Sequence, residues 1–335
     1  MKKIMFFRPM FYMGGTEIAI FNLIKLLHGY EIIIGYTDET SDKVLLEDMS
    51  RFATVINTKN QKNIEVDTLI LCSPYSSVLS EIDNINSKNT YLWFHHFGKR
   101  ENFIFNDEKA FNLIDKVIVV SETTKKLILQ QDYGKRIKDK LYVIYNILKV
   151  REIKEKSKIP IELPRSNTLN LVTVSRLCFE KGFERIYALA KKLKERNIDF
   201  KWYVIGGNYY KDIEEKIKSM FSEFEDNFIF FGFLDNPFNI IKKCDYLVLL
   251  SDNETWGLVL TEAKILGVPC IVTDFDVAYE QIIDDKTGII LSKSNTDMYD
   301  SKIDDILSNK QILKDNLKRF RYSNLQTLNR WKKIL

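Results

Sequence analysis

The chain has 335 residues, more than one hydrophobic core usually accommodates, so two domains are expected. A composition with 45% hydrophobic and 13% aromatic residues fills packed cores and excludes global disorder. The 50 basic and 46 acidic residues leave a net charge of only +4, which excludes the concentrated basic face of a nucleic-acid binder.

At the N-terminus, "MKKIMFF" is interrupted by Arg8 and Pro9, so its apolar run is too short for a signal-peptide core. No stretch approaches the roughly 20 apolar residues of a membrane span, and a cytoplasmic chain, at most peripheral to the inner membrane face, is expected. The cysteines (Cys72, Cys178, Cys244 and Cys270) lie in or beside apolar runs without C-x-x-C spacing, and read as reduced thiols. The first half then offers "KIMFF", "EIIIGY", "DTLILCS", "TYLWFH", "KVIVVS" and "LYVIYN" as strands. Helical periodicity fills the gaps, as in "TEIAIFNLIKLL". The basic run 123–140 holds six Lys/Arg against two Asp; it is read first as a solvated helix face and loop, and second as a peripheral membrane contact.

Residues 148–168 are charged, carry Pro160 and Pro164 and lack a clear period, which suits an interdomain connector. Beyond them "LNLVTVS", "FKWYVIGG", "NFIFFGF", "DYLVLLS", "PCIVTDF" and "TGIIL" repeat the strand theme. Continuous apolar runs without alternation indicate parallel strands covered on both faces by crossover helices. The expected architecture is α/β: two Rossmann-like, doubly wound parallel-sheet domains, 1–147 and 169–318, facing each other across a cleft. The pattern from 310 to 335 predicts one long helix, and for its terminal part, 319–335, packing back on the first domain is one option.

Open parallel sheets bind ligands at the carboxyl ends of their strands, which directs attention to the residues just after each run. After the first come Gly14 and Gly15, a tight turn into a helix opening at Thr16–Glu17, whose free N–H groups suit an anion. After "TYLWF" come His95 and His96; a histidine there can donate a hydrogen bond to a sugar hydroxyl or phosphate, and without a third nearby ligand a metal site is not expected. After "LNLVTVS" come Arg176 and Lys181, spaced to reach one anion and neutralise a departing diphosphate without a metal. After "DYLVLLS" comes "ETWGLVLTEA", with Glu254 in the loop and Glu262 inside the following helix. The N–H groups of Gly257, Leu258 and Val259 lie between them and suit a phosphate. A carboxylate at Glu262 can accept from both hydroxyls of a ribose, and one at Glu254 from a second ring. The ligand suggested is a ribose, a diphosphate and a sugar.

Glu254-x7-Glu262, within "LLSDNETWGLVLTEAKILGVPCIVTD", resembles the E-x7-E signature of retaining glycosyltransferases of the GT-B type, and more narrowly the group 1, or family 4, set. "SRLCFEKG" resembles that family's G-R-L-x-x-E-K-G loop, "GGTE" its G-G-x-E, and "VIYNIL" the segment closing its first domain, while "WFHH" fits its strand-end histidine and favours His95. The resemblance implies that Arg176 and Lys181 bind the donor diphosphate, Glu262 the ribose, Glu254 the sugar hydroxyls, with Gly15 beside the diphosphate and His95 on the sugar. It implies transfer with retention from a nucleotide sugar, UDP by family habit, to a glycan or lipid-linked acceptor. It implies no cofactor or metal and, by a weaker match around "VTDFDVAYEQI", a place in bacterial capsule or exopolysaccharide synthesis. Departures are Ser175 and Thr255 where glycine is usual, and "FDVAYE" without the common Gly-Gly before Glu280. Two other readings are a catalytically silent subunit supporting an active partner, which loss of Arg176, Lys181 or Glu262 would favour, and a sugar-nucleotide epimerase, whose acid/base pair the 254–262 pattern does not match.

Overall fold

A computed structural model describes residues 1–73, 75–95, 107–208 and 210–335. The chain divides into two compact units, Met1–Leu148 with Ser323–Leu335, and Lys149–Tyr322. The first is built on β1 (Lys2–Phe7), β2 (Tyr30–Tyr36), β3 (Thr54–Asn57), β4 (Ile64–Leu71), β5 (Ile85–Phe94), β6 (Lys116–Val119) and β7 (Leu141–Val143), and the second on β8 (Leu169–Val174), β9 (Phe200–Ile205), β10 (Phe228–Gly232), β11 (Tyr246–Leu249), β12 (Cys270–Thr273) and β13 (Gly288–Leu291). The strand orders are β3-β2-β1-β4-β5-β6-β7 and β10-β9-β8-β11-β12-β13. Every pair is parallel.

These are two Rossmann-like sheets, and the cause is visible in the side chains. Ile4–Phe7 of β1 and all of β11, β12 and β13 are buried, so these strands need cover on both faces, which crossover helices give. The chain winds one way from β1 or β8 and then returns to start the other way, so the strand order reverses between β1 and β4 and again between β8 and β11. Those two gaps are where ligands bind in such sheets.

The apolar runs of the sequence correspond to every strand but β3. That strand is four residues at a sheet edge with an exposed first residue, so it lacks the continuous apolar signal. Within the expected connector, Val150–Lys156 forms a helix belonging to the second unit. It buries only Ile153 and is held by Glu152, which pairs with Lys149 and Lys156 at 3.0 Å each, so no apolar period marks it.

The long C-terminal helix expected from 310 is instead two, Lys310–Leu317 and Leu325–Ile334. The chain passes to the first unit at Ser323. Asn324 fixes the passage: its Oδ1 accepts from the Leu148 N–H at 3.1 Å and its Nδ2 donates to the Leu148 carbonyl at 2.6 Å. The last helix then packs on the first unit, with Trp331 fully buried edge-on to Trp93 at 4.8 Å between ring centroids. The Tyr91 hydroxyl donates to the Ile334 carbonyl at 2.7 Å, and Arg330 donates to the carbonyl of Val143 at 2.9 Å. Among the described residues no helix is long and apolar enough to cross a membrane.

Trp331 is the anchor of this return. Trp331→Ala is expected to destabilise the first unit by about 3–5 kcal/mol. Guanidinium unfolding checks this; an unchanged midpoint would show that the terminal helix docks without contributing to stability.

Candidate functional site

In the second unit the loop after β8 leads through a short turn, Phe179–Lys181, into the helix Phe183–Glu195. Gly182 joins them with φ +72°, and a Cβ there would lie 1.9 Å from the Leu250 carbonyl oxygen, so only glycine lets this loop press against the end of β11. Across that contact Lys181 Nζ donates to Glu254 Oε1 at 2.8 Å, and the Ser251 hydroxyl donates to the same oxygen at 2.8 Å. The two charged side chains are only 16% and 13% exposed. Burial works against the Lys181 charge, but Glu254 outweighs it and raises the ammonium above its ordinary range. Arg185 braces the same loops, with Nε on the Leu250 carbonyl at 2.8 Å and Nη2 on Asp252 Oδ1 at 2.7 Å.

The sequence predicts Arg176 and Lys181 as two cations on one anion. The structure gives them different partners. Arg176 donates to Glu180 at 2.7 Å, with 63% of its side chain exposed. An exposed pair of this kind holds weakly, so the guanidinium is free to exchange partners.

The helix Leu258–Ile265 opens at Gly257, whose φ of +72° again requires glycine. Leu260 N–H donates back to the Gly257 carbonyl at 3.0 Å, and the N–H groups of Leu258 and Val259 stand at the open helix end. One turn in, Glu262 is half-buried, its carboxyl has no hydrogen-bond or ion-pair partner among the described residues, and burial pushes that carboxyl up to about 7.

In the first unit Arg8 follows β1 directly. Its Nε lies 2.8 Å from Glu17 Oε1, whose side chain is 4% exposed, and its Nη1 donates to the Cys72 carbonyl at 3.1 Å. Gly14 is in extended backbone that any residue adopts; what it supplies is room, since a Cβ would lie 3.0 Å from Glu17 Oε2. Gly15 begins the helix Gly15–Ile24. The sequence reading missed Arg8 as part of this group, although a cation directly after an apolar strand is the signal that singled out Arg176. His95 follows β5, with its ring 4.4 Å from that of Trp93. Burial, and then the Arg8 charge, pull its imidazole down to about 3, so it is neutral at physiological pH. His96 lies outside the described residues.

In the basic run 123–140, Lys126, Lys135, Arg136 and Lys138 are exposed. Lys140 instead turns inward to the carbonyls of Phe111 and Ile114, at 3.3 and 2.7 Å.

Residues 154–324, just over half of the chain, match the family model of glycosyl transferases group 1. N-acetyl-alpha-D-glucosaminyl L-malate synthase of Bacillus anthracis is 34% identical over 112 residues, 33% of this chain and 28% of that protein. The capsular polysaccharide biosynthesis glycosyltransferase CapM of Staphylococcus aureus is 22% identical over 139 residues, 42% of this chain and 37% of that protein. The chain thus spans less than half the length of these curated relatives. Among solved structures, Anabaena HepE in complex with UDP-glucose superposes with a TM-score of 0.76 at 18% identity, covering 99% of this chain and 100% of that one. A glycosyltransferase from Rickettsia africae gives a TM-score of 0.72 at 19% identity, covering 99% and 97%. At such identities the likeness shows the fold, which is GT-B. On the family model's match, the chain belongs to the group 1 glycosyl transferases.

Proposed function

We propose that this chain is a retaining, metal-independent transferase of the family 4 type that moves a sugar from a UDP-sugar to a glycan or lipid-linked acceptor in bacterial surface polysaccharide synthesis. One observation carries the reading: the Lys181 ammonium and the Glu254 carboxylate meet at 2.8 Å where the strand order of the second sheet reverses, beside the helix that carries Glu262. A relative named for capsular polysaccharide biosynthesis and a structural neighbour holding UDP-glucose support it.

In this reading Lys181 and Arg176 receive the negative charge that develops on the diphosphate as the bond from the sugar's anomeric carbon to the phosphate oxygen breaks. The acceptor hydroxyl attacks on the same face, and the leaving phosphate oxygen takes its proton. Glu254, held by Lys181 and Ser251, keeps one oxygen for sugar hydroxyls. Glu262 accepts from the ribose hydroxyls, replacing water that burial has already removed. Gly15 and His95 keep their proposed parts, a close backbone approach and a neutral N–H donor.

Three measurements test this. Lys181→Ala is expected to lower turnover in a transfer assay by roughly a hundredfold, as loss of one transition-state donor does; activity within a few-fold of wild type would remove the role.

Glu262 gives a pH signature. UDP affinity by calorimetry should rise about tenfold between pH 6 and 8 as the carboxyl at about 7 ionises, and Glu262→Gln should bind more weakly and lose that rise. Without ligand the sign reverses. A carboxyl held above its ordinary 4.5 favours the folded state at low pH, and that stability is lost as pH rises to about 7. Glu262→Gln should therefore gain on wild type in melting temperature from pH 5 to 8. Equal pH profiles for both proteins would refute the assignment.

A peripheral membrane contact through 123–140 is proposed on the four exposed cations, Lys126, Lys135, Arg136 and Lys138. Co-sedimentation with anionic phospholipid vesicles should fall on reversing two of these charges; equal sedimentation would leave the run as a solvated face.

A further inference from the structure

Lys264 is a buried cation with no carboxylate bonded to it among the described residues. It lies on the same helix as Glu262, and its Nζ donates at 2.6 Å to the backbone carbonyl of Gln281 and at 2.6 Å to Gln281 Oε1. Burial lowers its ammonium to about 8, so placing a charge here opposes folding, and an apolar side chain of similar length would avoid the penalty. What the ammonium provides is orientation. A glutamine amide presents an acceptor and a donor end of nearly equal shape, and a lysine can only donate. Lys264 therefore fixes Oε1 toward itself and turns Nε2 the other way.

Nε2 then donates to the Trp256 carbonyl at 2.9 Å and to Thr261 Oγ1 at 3.1 Å, and Thr261 Oγ1 also lies 3.2 Å from Oε1. Gln281 is 4% exposed, and both ends of its amide are engaged. The Trp256 carbonyl belongs to the turn between Glu254 and Gly257, where the chain passes into left-handed backbone and the helix opens.

We infer that Lys264 and Gln281 form a positioning pair that holds the Trp256–Gly257 turn, and through it the helix start and Glu254, in the geometry that receives the nucleotide. The inference deepens the proposed donor site and rests on that reading for its ligand, while its effect on the turn stands apart from any ligand. Among the described residues the Gln281 amide bonds to Lys264, Trp256 and Thr261 and to neither glutamate of the proposed site, so it acts through the turn.

The test is amide hydrogen exchange at residues 260–262, read by mass spectrometry on the full chain, for wild type, Gln281→Leu, Lys264→Met and the double variant. The double variant removes the buried ammonium together with the amide it faces, so no uncompensated charge is left in the core, which guards against failure to fold. Exchange at 260–262 is expected to speed at least tenfold in Gln281→Leu and in the double variant. Amides of the helix Phe183–Glu195, to which neither Lys264 nor Gln281 bonds among the described residues, should stay within twofold. In Lys264→Met, where the amide keeps its reach to Trp256 but loses its orientation, two- to fivefold is expected. Exchange at 260–262 that is unchanged, or that rises only together with 183–195, overturns the positioning role and leaves an ordinary core contact. UDP titration of the same proteins forms a separate arm. Wild type binding UDP and the double variant binding about tenfold more weakly supports the role in the site. Equal affinities overturn that role. No binding of UDP by wild type refutes the UDP reading, and the exchange arm still decides the positioning.

Discussion

The Lys181–Glu254 pair depends on a topological fact. The two residues are 73 positions apart and meet because β8 and β11 are neighbours whose connections leave in opposite directions. Loops from adjacent strands then rise side by side, and opposite charges on them complete each other in a partly dry environment where each alone would be unfavourable. Gly182 permits the approach, Arg185 ties both loops, and Ser251 satisfies the shared carboxylate oxygen. On the proposed function, a diphosphate entering here draws the ammonium from a carboxylate that already holds it. A ligand of one charge gains little from that exchange, whereas a diphosphate brings a stronger claim together with hydroxyls that occupy the carboxylate it displaces. On that proposal the pair thus takes a ligand that is both polyanionic and rich in hydroxyls.

Much of the fold was readable because buried parallel strands write themselves as continuous apolar runs. β3, half-exposed at an edge, does not, and neither does the helix Val150–Lys156, which buries a single isoleucine. The break between Leu317 and Leu325 was hidden for another reason. The apolar spacing continues through it, and what fixes the start of the next helix is Asn324 bonding to Leu148, a contact 176 positions away. Of the site, residue types and positions were legible at strand ends, but pairings were not. Sequence spacing suggested Arg176 and Lys181 on one ligand anion; the protein partners they take in the folded chain, Glu180 and Glu254, were not readable, since loops converging in space decide them. Arg8 and Gln281 escaped notice because the chemistry of each lies in which carbonyls it reaches.

The two units solve the same problem in parallel. Where the strand order reverses, the carbonyl just past the fourth strand sits at the ladder's end, and each unit covers it with a guanidinium. Arg8 donates to the carbonyl of Cys72 after β4, and Arg185 to that of Leu250 after β11. Each arginine is in turn held by an acid, Glu17 in one case and Asp252 in the other. They come from different places, Arg8 from the strand end and Arg185 from the first turn of the following helix, so the match lies in the geometry of the switch point rather than in a repeated segment. The acids differ in exposure, 4% for Glu17 and 50% for Asp252, while the arginines differ the other way, 29% for Arg8 and 14% for Arg185. Removing either acid therefore leaves a partly buried guanidinium short of a partner. Each unit thus ties the end of its fourth strand to an arginine and an acid, and in the second unit that brace stands two residues before the carboxylate proposed to meet the donor.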